Sequence, residues 1–184
     1  MRKRPFTGEV VALTLLVATN LSCLSGGYDS IRHDNLDRGT RIKIIAEESF
    51  GVVMSSKLKV IDTSPRLRVE IRYGYDDCPS LRGLVSSLRR FFNRIYNKDA
   101  ELPTPPSDIG DAEVFTYCTL QDDHGKQFPE STVADVRMTR EWAQRFDFQH
   151  LTFSDPKEFI KILQRDLETQ PILGRCWIHP ALLR

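Results

Sequence analysis

The sequence lacks several features that would point to a common class of protein. No apolar run approaches the roughly 20 residues that a membrane-spanning helix needs, and the apolar stretch at residues 10–18 is far shorter. The sequence contains no G-x-S-x-G, H-E-x-x-H, phosphate-loop or dinucleotide-binding motif. It therefore lacks the usual sequence signatures of hydrolases, metalloproteases and nucleotide-binding enzymes. No C-x-x-C pair occurs, so a zinc site of the usual spacing is not supported. We therefore predict no metal, no cofactor and no catalytic residue.

The first 25 residues have the order of an export signal. Residues 2–4 are basic, residues 10–18 are apolar and uncharged, and small residues follow at Ser22, Ser25 and the next two glycines. Secretory signals combine these three regions in this order. The alternative is an N-terminal helix packed on the domain, because a short apolar run has no distinctive periodicity.

Cys23 follows the apolar run directly and precedes a Ser/Gly tether. This segment resembles the site at which bacterial lipoproteins are cut and acylated, although Asn20 stands where that pattern usually has an aliphatic residue. Cleavage after Ser25 would instead discard Cys23 and release a soluble protein. Both outcomes predict an exported protein, periplasmic or extracellular. Only the first gives it a membrane contact, which is the lipid anchor at Cys23.

Length and composition indicate one ordinary globular domain. The chain has 184 residues, of which 40% are hydrophobic and 28% are charged, and about 160 residues remain after a signal of this length. We expect an export or lipoprotein-like signal at 1–25, a polar leader at 26–40, and a single domain at 41–184 with a Pro-rich connector near 99–111.

Periodicity predicts an α+β fold. Alternating apolar residues predict three strands at 41–47, 52–61 and 66–73, joined by short turns into an antiparallel meander. The segment 80–98 has the three-and-four spacing of a long amphipathic helix that begins at Ser80. A later hairpin is predicted from 112–120 and 134–138, a short helix after Thr139, and a C-terminal helix that Asp155 caps. The predicted arrangement is an antiparallel sheet covered by the long helix and the C-terminal helix.

Charge is distributed unevenly along the chain. Residues 28–98 contain 14 basic and 9 acidic residues, whereas residues 99–184 contain 9 basic and 15 acidic ones. The basic half would present a binding surface to another protein or an anionic surface, and its candidate residues are Arg66, Arg68, Arg72, Arg82, Arg89, Arg90 and Arg94. Nucleic acid is not expected for an exported protein, and the predicted charged faces have no aromatic side chains interleaved for base stacking.

Two further features of the sequence are candidate sites. Cys78 precedes the long helix, where a thiolate would be stabilised, but an export signal favours a disulfide with Cys118 or Cys176, or a buried thiol. His124, His150 and His179 are the available bases for a nucleophilic Cys78. The polar segment 121–132 is a candidate functional loop, and it contains Asp122, Asp123 and His124.

Together these observations favour a small exported binding or assembly protein of a bacterial cell envelope, either soluble or lipid-anchored and without enzymatic activity. One alternative is a thiol- or metal-dependent hydrolase that uses Cys78 or the Asp122–His124 segment. Another is a cytosolic domain that binds anions or nucleic acid, which requires that the N-terminal segment stay attached.

Overall fold

The computed structural model describes residues 35–51, 57–74, 78–97, 102–145, 148 and 155–183. All of these residues belong to one compact unit. The predicted export signal, Cys23 and most of the polar leader lie outside the described residues, as does His150.

The first described element is a helix, α1, at Arg38–Phe50, so the strand predicted at 41–47 is wrong. Asp37 caps the helix by accepting the backbone N–H of Thr40 at 3.0 Å, and Gly51 ends it with a φ of 56°. The prediction grouped Ile42, Ile44 and Ala46 by alternation. The buried residues instead follow a helical spacing; they are Ile42, Ile45, Ala46, Ser49 and Phe50.

In the described residues, five strands form one mixed sheet in the order β1-β2-β3-β4-β5. Their bounds are β1 Lys57–Thr63, β2 Arg66–Arg72, β3 Asp111–Gln121, β4 Gln127–Thr139 and β5 Gly174–Ile178. β2 and β3 are parallel, whereas the other neighbours are antiparallel. The α+β class is confirmed, but the antiparallel sheet and its three-strand meander are wrong. A long crossover separates β2 from β3, and parallel pairing needs such a connection.

The other helices begin where their capping residues indicate. α2 at Leu81–Tyr96 starts after Ser80, which accepts the backbone N–H of Gly83, and α3 at Arg140–Ala143 starts after Thr139. α4 at Pro156–Thr169 starts after Asp155. Every residue of the apolar stripe predicted for α2 is buried, namely Leu81, Leu84, Val85, Leu88, Phe91, Phe92, Ile95 and Tyr96.

The core contains one face of the sheet together with the apolar sides of α1, α2 and α4. Leu67, Val69 and Ile71 of β2 belong to this core, with Ala112 and Val114 of β3. Since successive side chains of a strand point to opposite faces, the alternating residues form a second face of the sheet, which we call the polar face. Its residues are Lys57, Lys59, Ile61, Thr63, Arg66, Arg68, Glu70, Arg72, Asp111, Glu113, Phe115, Tyr117, Asp135, Arg137, Arg175 and Trp177.

The segment predicted as a long loop at 121–132 is mostly strand. β3 continues to Gln121 and β4 begins at Gln127, so the connection is a turn at 122–126. Strand pairing of Leu120 with Phe128 and of Gln121 with Gln127 extends the hairpin. The polar composition of this segment is therefore that of an exposed hairpin end.

Candidate functional site

Arginine and aromatic side chains lie side by side at the centre of the polar face. The guanidinium of Arg68 lies 4.0 Å from the centre of the Phe115 ring, and that of Arg72 lies 4.7 Å from the centre of the Tyr117 ring. The two rings are nearly parallel, with centres 6.3 Å apart. Each arginine therefore has a cation–π contact on the neighbouring strand, which holds its guanidinium in a fixed plane.

Glu70 lies between the two arginines along β2 and forms an ion pair with each of them. Glu70 is only 6% exposed. Its Oε1 lies 3.1 Å from Nε of Arg68, and its Oε2 lies 3.0 Å from Nη1 of Arg72. Glu70 is thus shared by two positive charges, and the next carboxylate, that of the exposed Glu130, lies 3.9 Å from Nε of Arg72. We call Arg68, Glu70, Arg72, Phe115 and Tyr117 the arginine–aromatic cluster.

Ion pairs connect the rest of the polar face. Arg137 donates to both carboxylate oxygens of Asp111 at 2.9 Å, and Arg175 lies 2.6 Å from Glu113 and 2.8 Å from Asp135. Burial raises the pKa of Glu113, and the nearby Asp135 raises it further, while Arg175 opposes both effects. The acidic residues of β3 and β4 are therefore neutralised within the sheet, whereas Lys57, Lys59 and Arg66 leave the β1–β2 end basic.

The seven predicted basic-surface residues do not form one surface. Arg66, Arg68 and Arg72 lie on the polar face, whereas the remaining four lie on α2, whose apolar side packs against the opposite face of the sheet. Of these four, Arg82 and Arg90 are exposed, and Arg89 and Arg94 are half-buried.

The α2 arginines also make local contacts. Nη2 of Arg89 donates to the Phe148 carbonyl at 2.9 Å, and Nη2 of Arg90 donates to Ser87 Oγ at 3.3 Å. The first bond attaches α2 to a distant part of the chain, whereas the second lies within α2.

Cys78 and Cys118 form a disulfide that joins the start of α2 to β3, with Cα atoms 5.5 Å apart. The remaining described cysteine, Cys176, is free and half-buried. Burial, with a smaller contribution from Asp135, raises the pKa of the Cys176 thiol to about 12. Neither Cys78 nor Cys118 carries a thiol in this state, so the sequence-based alternative of a nucleophilic Cys78 is not supported.

The hairpin end places Asp122, Asp123 and His124 in the turn. Asp122 Oδ1 accepts the backbone N–H groups of His124 and Lys126, each at 2.9 Å, and Gly125 adopts a φ of 81° that glycine tolerates. Asp122 thus stabilises the turn, while Asp123 and His124 are exposed. Within the described part of the chain, no group of three His, Cys, Asp or Glu residues is placed to hold a metal ion.

A cleft of about 440 Å³ lies beside this turn. Leu120, Asp123 and Phe128 line it from the hairpin, and His179 lines it from the segment after β5. The imidazole Nδ1 of His179 accepts the backbone N–H of Ala181 at 3.1 Å, so this nitrogen is already used in a local turn. The cleft therefore brings together predicted residues without forming a catalytic arrangement.

The sequence interpretation missed Phe115 and Tyr117 as surface residues. A signal was present, since both alternate with the buried Val114 and Thr116 in β3. What the sequence did not reveal was the parallel pairing that places Arg72 beside Tyr117. The expectation that no aromatic side chains lie among the basic residues is wrong for this face.

No helix of the described segments is both long enough and apolar enough to cross a membrane. Comparison of the chain with protein-family models, curated proteins and solved structures gives no match.

Proposed function

We propose that this protein is a small exported binding or assembly protein of a bacterial cell envelope, and that it binds a protein partner through its polar face. The observation that carries the proposal is the arginine–aromatic cluster, in which Arg68 and Arg72 stack on Phe115 and Tyr117. The function is binding, without a chemical step.

The cluster has the composition and rigidity that favour protein recognition. Arginine and tyrosine are enriched among residues that contribute most to binding, and pre-ordered side chains lose less entropy when a partner docks. Arg68 and Arg72 retain about 41% and 33% of their side-chain exposure. Their guanidinium groups can therefore donate to a partner while their planes stay fixed.

The charge of this region favours a partner surface that carries carboxylates. Lys57, Lys59 and Arg66 surround the cluster on β1 and β2, and Glu70 is the acidic residue on the polar face of these two strands. Guanidinium groups match carboxylates in shape and bind them through paired hydrogen bonds. An acidic protein surface is therefore the occupant that the polar face suits.

Two observations support export. The first 25 residues have the order of a signal, and the Cys78–Cys118 disulfide suits an oxidising compartment. The intact mass of the mature protein from its native host tests this. A chain beginning at Cys23 with acyl groups indicates a lipid anchor, and a cut near Ser25 indicates a soluble exported form. An uncut chain with reduced cysteines contradicts export.

Binding is tested by photo-crosslinking in the native host. A photo-reactive amino acid replaces Lys59 or Arg66, both exposed on the polar face, and the matched control replaces Lys43 or Arg82, exposed on α1 and α2. The polar-face positions should crosslink to one defined protein, and Arg68→Ala with Arg72→Ala should abolish that product. Equal crosslinking from both sets, or a product that survives the double substitution, contradicts the proposal.

A second candidate is a cytosolic single-stranded nucleic-acid binding domain. The specific observation in its favour is the placement of Phe115 and Tyr117 beside arginines on a sheet, because bases stack on aromatic rings and guanidinium planes. Fluorescence anisotropy of a labelled oligonucleotide separates the two candidates. An affinity for the oligonucleotide that falls steeply with salt concentration and requires Tyr117 favours the nucleic-acid binding domain. An anisotropy that does not change on adding the protein at low salt excludes this candidate.

A further inference from the structure

β5 is the last strand of the sheet, and no other strand of the described residues pairs with its outer edge. His179, directly after β5, donates its backbone N–H to the Val133 carbonyl of β4 at 2.9 Å. The backbone N–H and C=O groups of successive residues alternate in direction along an antiparallel strand. Arg175 and Trp177 therefore also point their N–H and C=O groups toward β4. Gly174, Cys176 and Ile178 therefore point their N–H and C=O groups away from the sheet.

α4 packs beside β5, and one of its side chains, Gln164, reaches this outward edge. The Cys176 carbonyl accepts Nε2 of Gln164 at a long 3.5 Å, and no other hydrogen bond of the described segments reaches the outward groups of β5. Unpaired strand edges are templates for pairing with another strand. A flexible glutamine side chain can leave such a contact without disturbing α4.

The two ends of the sheet differ in how they are protected. β1 has exposed Lys57 and Lys59, and lysine on an edge strand discourages pairing with other strands. β5 has only Arg175, which already pairs with Glu113 and Asp135. The unprotected edge is therefore β5.

Exposed apolar side chains concentrate at the same edge. Three large apolar side chains are exposed among the described residues: Phe128 at 42%, Ile172 at 81% and Trp177 at 40%. Trp177 belongs to β5, and Ile172 lies two residues before the first residue of β5, Gly174. Such surface is usual where a partner docks.

We propose that two copies of this chain pair antiparallel through β5 and continue the sheet across a two-fold axis. Hydrogen bonds between the two copies form only if residues whose backbone N–H and C=O groups point outward lie opposite one another. Each of Gly174, Cys176 and Ile178 must therefore face one of these three residues in the second copy. The register that overlaps the whole strand places Cys176 opposite Cys176 of the second copy. It also places Gly174 opposite Ile178 and Arg175 opposite Trp177.

This register is self-complementary. Arg175 and Trp177 form a pair that is not hydrogen-bonded, in which side chains approach most closely, and the guanidinium can lie on the face of the indole. The two-fold axis produces the contact twice, as expected of an isologous dimer. The second copy is thus favoured over an unrelated segment because β5 carries both halves of the contact. The dimer is independent of the partner proposed for the arginine–aromatic cluster.

Sedimentation equilibrium of the full chain over a range of concentrations tests this proposal. One chain has a mass of 21.2 kDa, and the wild-type protein should approach twice the mass of its own chain as concentration rises. Trp177→Arg places two arginines opposite each other across the axis and should give a monomer at every concentration. Because Trp177 faces Asp135 on β4, the new arginine can share this carboxylate with Arg175 of its own chain, so the fold should be kept.

The matched control is Phe128→Arg, the same change at a similarly exposed side chain on the hairpin. This variant should dimerise like the wild type, and circular dichroism should show both variants folded. A wild-type chain that stays monomeric overturns the proposal, as does a dimer that survives Trp177→Arg or dissociates in Phe128→Arg. None of these results depends on the photo-crosslinking result, so failure of the dimer and failure of the polar-face proposal are distinguishable.

Discussion

The guanidinium of Arg68 lies 4.0 Å from the centre of the Phe115 ring, and this contact exists only because β2 and β3 run parallel. The parallel register pairs Glu70 with Phe115 and Arg72 with Tyr117, so each arginine meets an aromatic ring of the next strand. A shift of one residue would send both rings to the core face. The proposed binding face is therefore a consequence of strand pairing.

Glu70 should stabilise the fold by holding Arg68 and Arg72 together. Glu70→Gln keeps the shape of the side chain but removes its charge, so the two neighbouring guanidinium groups lose their shared ion-pair partner. We expect a loss of about 1–3 kcal/mol in the free energy of unfolding, the range for removing one partner of a partly buried charged hydrogen bond. Urea denaturation measures this loss.

The control for Glu70 is Glu47→Gln on α1. The Glu47 side chain is 41% exposed, and its carboxylate lies 3.7 Å from Nζ of Lys43 one helical turn away. Such a pair contributes about 0.3–0.5 kcal/mol. Equal losses for the two variants would contradict the special role of Glu70.

The sequence predicted α2 well because several local signals agree there. Ser80 caps the helix, and eight apolar residues follow one spacing that is incompatible with a strand. For α1 the signals conflicted, because Ile42 and Ala46 fit both a strand face and a helix face. The capping residues Asp37 and Gly51 would have resolved this conflict.

The candidate site was less predictable because it depends on long-range pairing. The arginines of β2 were identified from the sequence, but Phe115 and Tyr117 are far along the chain, and only the sheet order brings them to Arg68 and Arg72. Likewise, the cysteine count allowed Cys78 either of two partners, and the fold selects Cys118.

The Cys78–Cys118 disulfide should contribute substantially to stability. It closes a loop with a sequence separation of 40, and the loss of chain entropy in the unfolded state then corresponds to about 4 kcal/mol. The double substitution Cys78→Ser, Cys118→Ser should lower the free energy of unfolding by roughly this amount. Urea denaturation with and without a reducing agent measures it.

Cys176→Ser provides the comparison for the disulfide. This variant keeps the Cys78–Cys118 bond, so reduction should destabilise it as much as the wild type. A wild-type protein whose unfolding midpoint is unaffected by complete reduction would show that the bond is energetically unimportant.

Asp108 should make the protein less stable in acid. The Ser64 hydroxyl, which donates to Asp108 at 2.6 Å, and the Arg38 guanidinium lower the pKa of this carboxyl from 3.8 to about 2. Between these two values the unfolded chain binds more protons than the folded one, so the stabilisation present above pH 3.8 falls as the pH decreases toward 2.

Thermal unfolding measured through this acidic range tests the role of Asp108. Asp108→Asn should make the decline of the melting temperature less steep, and Ser64→Ala should have a similar but smaller effect because Arg38 still interacts with Asp108. An unchanged pH dependence in both variants would show that other carboxyl groups control acid stability.

Gly174 should be intolerant of any side chain because β5 approaches β4 closely there. A Cβ atom at position 174 would lie 2.2 Å from the Arg137 carbonyl oxygen and 3.1 Å from Cδ2 of Leu167. The first of these atoms is backbone and cannot rotate away, so Gly174→Ala must displace β5 from the sheet. We expect a loss of about 1–3 kcal/mol or more, typical of forced overpacking.

Gly110→Ala is the matched control, since a Cβ atom there would meet nothing closer than Cβ of Pro65 at 3.7 Å. Without a clash, alanine reduces the conformational entropy of the unfolded chain and should be neutral or stabilise by up to about 1 kcal/mol. Urea denaturation compares the two variants.

If Gly174→Ala destabilises as expected, sedimentation equilibrium of the same variant should also show weaker dimerisation, because a displaced β5 no longer presents a straight edge to the second copy. A Gly174→Ala protein as stable as Gly110→Ala would mean that β5 is not held against β4 at this distance.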